Sequence, residues 1–415
     1  YPPSIGTEPL RAAIRDWMAR RFSIDVPLAQ IAACVGTKEF VATTPQYLRL
    51  RTPSRDTVLY PAVAYPTYEM GAILGGCRPV AVPAHPDGSI NLAAIDPADA
   101  ARALMLWVNS PSNPTGALSD LQAAAAWGRA NGVPVFSDEC YVEFIWDGPP
   151  RTILESGLDG VVAVHSLSKR SNLAGVRVGF YAGDAELVNY LKEVRKHVGM
   201  MVPGPAQAAG AIALADDLHV TEQRDRYRRR LERLASIISQ WSGIEVPMPS
   251  GSFYLWFDAA DGWEFAERFA RDGGGLVSPG DFYGAGGAQN VRAAVVQTDD
   301  RIELIARRLG VRKTVRHIGH RPVLAARRTR RRARMVPVGG HAFDAAAGSP
   351  DVRRHGPAGA GANRNALPLA GRLSGRGSVD CQCVTPAGDS GCHRPGTLRH
   401  GHAPCHRVRT ARGLA

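Results

Sequence analysis

Between Leu10 and Arg21 apolar residues recur at helical spacing, and the chain then turns to short runs in which most positions are apolar. Thr57 to Tyr60 and Arg78 to Val82 read as short strands. Leu104 to Val108 is a continuous apolar run suited to a parallel strand buried on both faces. Strand signals recur at Val133 to Phe136 and Val161 to His165. Ser119 to Ala130 and Asp184 to His197 read as helices, and Pro205 to Gln240 as one long, charge-laced helical stretch able to bridge two domains. This alternation predicts an α/β domain, a mainly parallel sheet flanked by helices. Beyond Trp241 come a strand (Phe253 to Phe257), a helix (Trp263 to Arg271), a strand (Val291 to Val296) and a helix (Asp300 to Leu309), which predict a smaller α+β C-terminal domain. The expected division is a large domain over 1–235, a small one over 236–310 and a tail over 311–415.

A chain of 415 residues is long enough to bury a deep cleft. Its formal charge of +12 and pI near 9.7 point at first to a nucleic acid or another anionic surface. The distribution of charge changes that. Residues 311–415 hold 19 Arg and one Lys against four Asp, whereas 1–310 carry a net charge of −4. The tail has one aromatic residue, Phe343, and no sustained period, so it is expected to be disordered or the product of out-of-frame reading. The seven cysteines are an odd and scattered set, which argues against a disulfide framework and for a reducing cytoplasm. No apolar run approaches the length of a membrane span. The chain opens on Tyr-Pro-Pro with no charged and apolar leader, which predicts neither a signal peptide nor an intact start.

Chemistry-bearing residues follow the strand signals. His165-Ser166-Leu167-Ser168-Lys169 sits at a strand's carboxyl end, where a lysine can present its amine to an aldehyde cofactor, and Arg177 follows eight residues later. Ser166 and Arg177 suit a phosphate, one by its hydroxyl and the other by a planar, permanently charged fork. Alone, Ser-x-x-Lys is a common pattern that also describes a surface lysine. Asp138, in Phe136-Ser137-Asp138-Glu139-Cys140-Tyr141, suits a protonated pyridine nitrogen, and Tyr141 a phenolic oxygen; a plain helix cap at Asp138 reads equally well. The prolines of Asn109-Ser110-Pro111-Ser112-Asn113-Pro114-Thr115-Gly116 fix a turn that can hold the Asn113 amide toward the same oxygen. Gly36, Thr37 and Lys38 open a helix whose free N–H groups suit a phosphate. Tyr65 can stack on a flat ring or fill the core. Arg292 lies on an apolar strand and needs an anion, either a substrate carboxylate or a structural partner.

The order and spacing of these motifs resemble the class I/II aminotransferases of fold type I, which depend on pyridoxal 5′-phosphate (PLP), over nearly all of residues 1–310. The resemblance implies that Lys169 holds the cofactor covalently and is catalytic with Asp138 and Tyr141. It implies that Gly36, Thr37, Lys38, Tyr65, Asn113, Ser166, Ser168 and Arg177 complete the cofactor site, and that Arg292 with Asn113 grips the substrate α-carboxylate. Tyr1 resembles a tyrosine donated to the phosphate across a homodimer, so a shared active site is implied, and the family has further residues before that position. No metal is implied. Gly-Thr-Lys-Glu (36–39), Ala-Tyr-Pro-Thr-Tyr (64–68), Arg195-Lys196-His197 and Pro279-Gly280-Asp281-Phe282-Tyr283-Gly284 are similar to actinobacterial N-succinyldiaminopimelate aminotransferases. Those enzymes exchange an amino group between glutamate and N-succinyl-2-amino-6-oxopimelate in lysine and diaminopimelate biosynthesis. Arg195, Lys196 and Arg151 are candidates for the distal substrate end by charge alone. The alternatives are an aspartate, alanine or LL-diaminopimelate aminotransferase, or a PLP carbon–sulfur lyase. Nucleic-acid binding by the tail, or a metal module using Cys381, Cys383, Cys392, His393, Cys405 and His406, stands as a reading of another class.

Overall fold

The computed structural model describes residues Tyr1–Arg312, so nearly all of the tail, with its metal and nucleic-acid candidates, lies outside the described residues. Seven strands, β1 (Ile31–Cys34), β2 (Thr57–Pro61), β3 (Arg78–Val82), β4 (Ala103–Asn109), β5 (Val135–Asp138), β6 (Val161–Ser166) and β7 (Gly179–Gly183), form one sheet in the order β1-β7-β6-β5-β4-β2-β3. Strands β2 to β6 run parallel to their sheet neighbours among themselves, and β7 is antiparallel to both β6 and β1. The helices interleaved with them are α1 (Glu8–Phe22), α2 (Thr37–Arg51), α3 (Thr67–Leu74), α4 (Pro97–Arg102), α5 (Leu121–Asn131), α6 (Leu167–Arg170) and α7 (Ala185–His197). Two long helices, α8 (Gly204–Ala215) and α9 (Leu218–Ser242), lead to a second sheet, in which β10 (Asn290–Ala294) lies between β8 (Tyr254–Asp258) and β9 (Ser278–Pro279). Helices α10 (Gly262–Gly273) and α11 (Asp299–Arg308) accompany it. The α/β class, the mostly parallel sheet and the smaller α+β portion agree with the expectation.

Every residue of β4 is buried, as its unbroken apolar run requires of a strand covered on both faces. Leu106 and Val108 join a core with α1 and α5, while Met105 and Trp107 join another with α2 and α3. A third cluster packs α9 and α10 against β8 and β10.

Pro205 to Gln240, expected as one helical stretch, is two helices. Arg20 and Arg170 donate to the carbonyls of Leu214 and Ala213, so the end of α8 finds side-chain donors in place of a further turn. The Asp216 carboxylate then accepts from the Leu218 amide at 2.8 Å and starts α9. The boundary expected at 235/236 falls inside α9.

Strands β1 and β7 carry weak sequence signals, and β7 begins and ends in glycine. A Cβ added at Gly183 meets the Val161 carbonyl oxygen at 2.1 Å, so backbone approach, not side-chain chemistry, selects glycine there. Gly183→Ala is expected to destabilise the fold by about 2–3 kcal/mol, read as a lower urea midpoint at unchanged m-value.

Candidate active site

Asn109, Asp138 and Ser166 are the last residues of three adjacent parallel strands, β4, β5 and β6, and all three line one cavity of about 500 Å³. Open parallel sheets bind ligands at this edge because the loops and helix N-termini that leave it diverge. Lys169 enters from α6, one helical turn beyond β6, and Tyr254 and Arg292 close the far side from β8 and β10.

One end of the cavity is arranged for an anion. Gly36, at φ 76°, precedes α2, and Thr37 and Lys38 occupy its first turn, where backbone N–H groups lack helical acceptors. The Arg177 guanidinium folds back over this turn, donating to the carbonyls of Ala174 (2.8 Å) and Val35 (3.3 Å). A Cβ on Gly36 would lie 2.1 Å from Arg177 Nη2, so the glycine makes room for the arginine as well as for the turn. The Ser166 hydroxyl accepts from the Ser168 amide at 3.1 Å, and both serines face the same cavity.

At the centre, Asp138 is held by Tyr68, whose hydroxyl donates at 2.9 Å, and by the Cys140 amide at 3.2 Å. Burial pushes the Asp138 carboxyl upward, and these hydrogen bonds oppose the shift. A desolvated carboxylate facing a cavity is suited to a cationic ligand atom. Burial likewise lowers the pKa of the half-buried Lys169 amine, a shift toward its neutral, nucleophilic form. Tyr141 is buried, and its hydroxyl lies 2.8 Å from that of Tyr254.

The remaining wall is built for a carboxylate. The Asn109 side chain accepts from the Asn113 amide at 2.7 Å and donates to the Asp138 carbonyl at 2.8 Å, which ties the Asn113 turn to β5. Asn113 Oδ1 accepts from Arg292 Nη1 at 2.8 Å. The Arg292 guanidinium lies over the rings of Tyr254 and Tyr283, at 4.2 and 4.8 Å from their centroids, and its buried Nε has no hydrogen-bond partner among the described residues. The guanidinium lines the cavity, and a planar fork of this kind matches the two oxygens of a carboxylate.

The structure thus brings together Thr37, Lys38, Tyr65, Asn113, Asp138, Tyr141, Ser166, Ser168, Lys169, Arg177 and Arg292, with Gly36 contributing backbone. Tyr1 stands apart, fully exposed and outside the cavity. None of the three distal-end candidates lines the cavity. Arg195 is buried in an ion pair with Glu39, Arg151 pairs with Glu155, and Lys196 pairs with Glu193. Charge alone misplaced them, because Arg195 braces the start of α2, with Glu39 accepting from the Val35 amide at 2.7 Å. The sequence reading gave no role to Tyr68, Asn109, Cys140 and Tyr254, which also line the cavity. Tyr68 falls three residues after Tyr65, one helical turn away, and that spacing was its available signal.

A family model described as aminotransferase class I and II matches residues 1–309. A 4-dedimethylamino-4-oxo-anhydrotetracycline transaminase of Streptomyces rimosus is 42% identical over 320 residues, 74% of this chain and 85% of that one. An LL-diaminopimelate aminotransferase of Aquifex aeolicus is 32% identical over 323 residues, 74% of this chain and 82% of that one. Among solved structures, a probable N-succinyldiaminopimelate aminotransferase of Thermus thermophilus aligns with a TM-score of 0.66 at 29% identity, over 72% of this chain and 83% of that chain.

Proposed function

The chain belongs to the class I and II aminotransferases, a PLP-dependent family, and from that premise we propose that it exchanges an amino group between glutamate and N-succinyl-2-amino-6-oxopimelate at the cavity around Lys169. The observation that carries the assignment of the site is the meeting of a half-buried lysine, a buried carboxylate and an arginine with an unpaired donor at the ends of β4, β5 and β6. The residues fit PLP by their chemistry. The α2 start, Ser166, Ser168 and Arg177 suit its phosphate, Asp138 its ring nitrogen, Asn113 and Tyr141 its phenolic oxygen, and Lys169 its aldehyde. Tyr65, half-buried in the cavity wall, supplies a flat face. When bound, PLP supplies an aldehyde that exchanges with amines and a ring that withdraws electrons from the substrate Cα.

The residues of the chain then have separate tasks. Arg292 and Asn113 hold the α-carboxylate and so fix which Cα bond faces Lys169. The Lys169 amine, whose pKa burial lowers, removes the proton from Cα and returns one to the product side. Asp138 holds a proton at the ring nitrogen, where its own burial makes a cation the favoured neighbour. The enzyme is proposed to work as a cytoplasmic homodimer, with Tyr1 serving the second copy's site. Among the described residues no helix is long and apolar enough to cross a membrane.

The succinylated substrate is supported by the motifs at 36–39, 64–68, 195–197 and 279–284 and by the likeness to the Thermus thermophilus structure. A second reading, transamination of a tetracycline-type ketone, is favoured by the 42% identity to the Streptomyces rimosus transaminase. Loading the full chain with PLP and following the cofactor's absorbance with each candidate donor separates them. Conversion by N-succinyl-LL-diaminopimelate and glutamate is expected. Conversion by LL-diaminopimelate alone, or amination of the tetracycline ketone alone, sinks the succinyl assignment.

Arg292→Lys keeps the charge but loses the planar fork. It is expected to lower kcat/KM for carboxylate substrates about 10- to 100-fold, chiefly through KM, in steady-state assays.

A further inference from the structure

Tyr254 is buried at the start of β8, outside every motif that marks the site, yet it touches both halves of the chemistry. Its hydroxyl is 2.8 Å from the Tyr141 hydroxyl, and its ring lies 4.2 Å beneath the Arg292 guanidinium. The segment before it is tightly fixed. The Ser252 hydroxyl accepts from the Tyr254 amide at 3.3 Å, and the Ser252 carbonyl accepts from Trp146 Nε1 at 2.8 Å. A Cβ on Gly251 would lie 2.5 Å from the Pro111 side chain, in the turn that carries Asn113.

Two phenols at this distance share one proton between their oxygens, so the direction of donation decides what Tyr141 offers the cavity. If Tyr141 donates to Tyr254, its only proton is spent and it can merely accept from a ligand. If Tyr254 donates, the Tyr141 proton is free to reach an anionic oxygen. The Arg292 guanidinium, stacked 4.2 Å from the centroid of the Tyr254 ring, opposes the effect of burial on that phenol and favours it as the donor.

We propose that Tyr254 is a positioning residue that donates to Tyr141, turns the Tyr141 hydroxyl into a committed donor toward the cofactor's phenolic oxygen, and links that oxygen to the carboxylate clamp at Arg292. This rests on the reading of the cavity as the PLP site. Donation to the phenolic oxygen stabilises its anion and makes the bound cofactor easier to deprotonate, so weaker donation raises the pH midpoint of its visible absorbance.

The test is an absorbance titration of the PLP-loaded full chain. Tyr254→Phe keeps the ring under Arg292 and removes the hydroxyl. The midpoint is expected to rise by about half a unit, about threefold in proton affinity, while KM for the amino donor stays within about twofold. Tyr283→Phe, whose ring also faces Arg292, is expected to leave the midpoint in place. In a Tyr141→Phe background, Tyr254→Phe is expected to add nothing. An unmoved midpoint in Tyr254→Phe, or an equal shift with Tyr141 already replaced, overturns the inference and leaves the site assignment standing. A wild-type chain that gives no such titration overturns both.

Discussion

Lys169→Ala is expected to cut transaminase turnover by at least about 10⁴-fold, the largest loss of any single change in the cavity. In the proposed mechanism two tasks end together, because the same amine attaches the cofactor and carries the Cα proton. Lys169 lies on α6 immediately beyond β6, and its burial lowers the amine's pKa, the direction a general base needs. Since burial lowers its pKa, the acid limb of the wild-type rate profile is expected below the usual lysine range. Lys169→Arg is expected to fare no better than Lys169→Ala, because a guanidinium stays protonated and is no nucleophile. Borohydride treatment of the PLP-loaded wild type is expected to fix the cofactor to the peptide containing Lys169. Cofactor fixed elsewhere, or turnover retained in the variant, would show that another group does this work.

The second large effect is expected at Asp138. Asp138→Asn removes the carboxylate proposed to hold a proton at the ring nitrogen, and a loss of about 10²- to 10³-fold in kcat is expected, with a smaller change in KM. Stability is expected to behave differently. The folded pKa of Asp138 is raised above its unfolded value by burial, so its contribution to stability is greatest below the unfolded value and is lost as pH rises through the folded one. Without PLP, ionising this carboxyl therefore costs the fold stability. The variant's Tm at pH 7 without PLP is expected to be no lower than that of the wild type, although its activity is poor. A large drop in Tm would assign Asp138 a structural role and remove the basis of the catalytic one.

The strands that end at the cavity were legible because burial on both faces writes itself as an unbroken apolar run. Leu104 to Val108 and Val161 to His165 are recovered almost residue for residue as β4 and β6. Strand β5 begins two residues later than expected, at Val135, because the apolar signal at Val133 belongs to the turn leaving α5. Strands β1 and β7 carry no period to read, since Ile-Ala-Ala-Cys and Gly-Phe-Tyr-Ala-Gly are runs of only four and five residues. At the cavity, residues within contiguous motifs were found, because a strand end and the turn after it travel together in the sequence. Tyr254 was not. Its place beside Tyr141, 113 positions away, depends on how β8 packs, and no local spacing encodes that. Arg195 failed for the opposite reason, since charge was taken for availability while its guanidinium is stacked against Phe40 and Tyr181.

With the α-carboxylate held at Arg292 as proposed, that arginine also bears on which amines are turned away. A cell holds many primary amines able to react with an aldehyde, polyamines and decarboxylated amino acids among them. Such a molecule can reach Lys169, but it brings nothing to satisfy the arginine, which then keeps an unmatched donor in a desolvated wall. Sites of this kind discriminate by deprivation, and the discrimination reaches about 10⁴-fold where the missing group is a full hydrogen-bonding partner. On the proposed reading, selectivity for amino acids over plain amines is set on β10, in the second sheet, by a residue that takes no part in the bond changes.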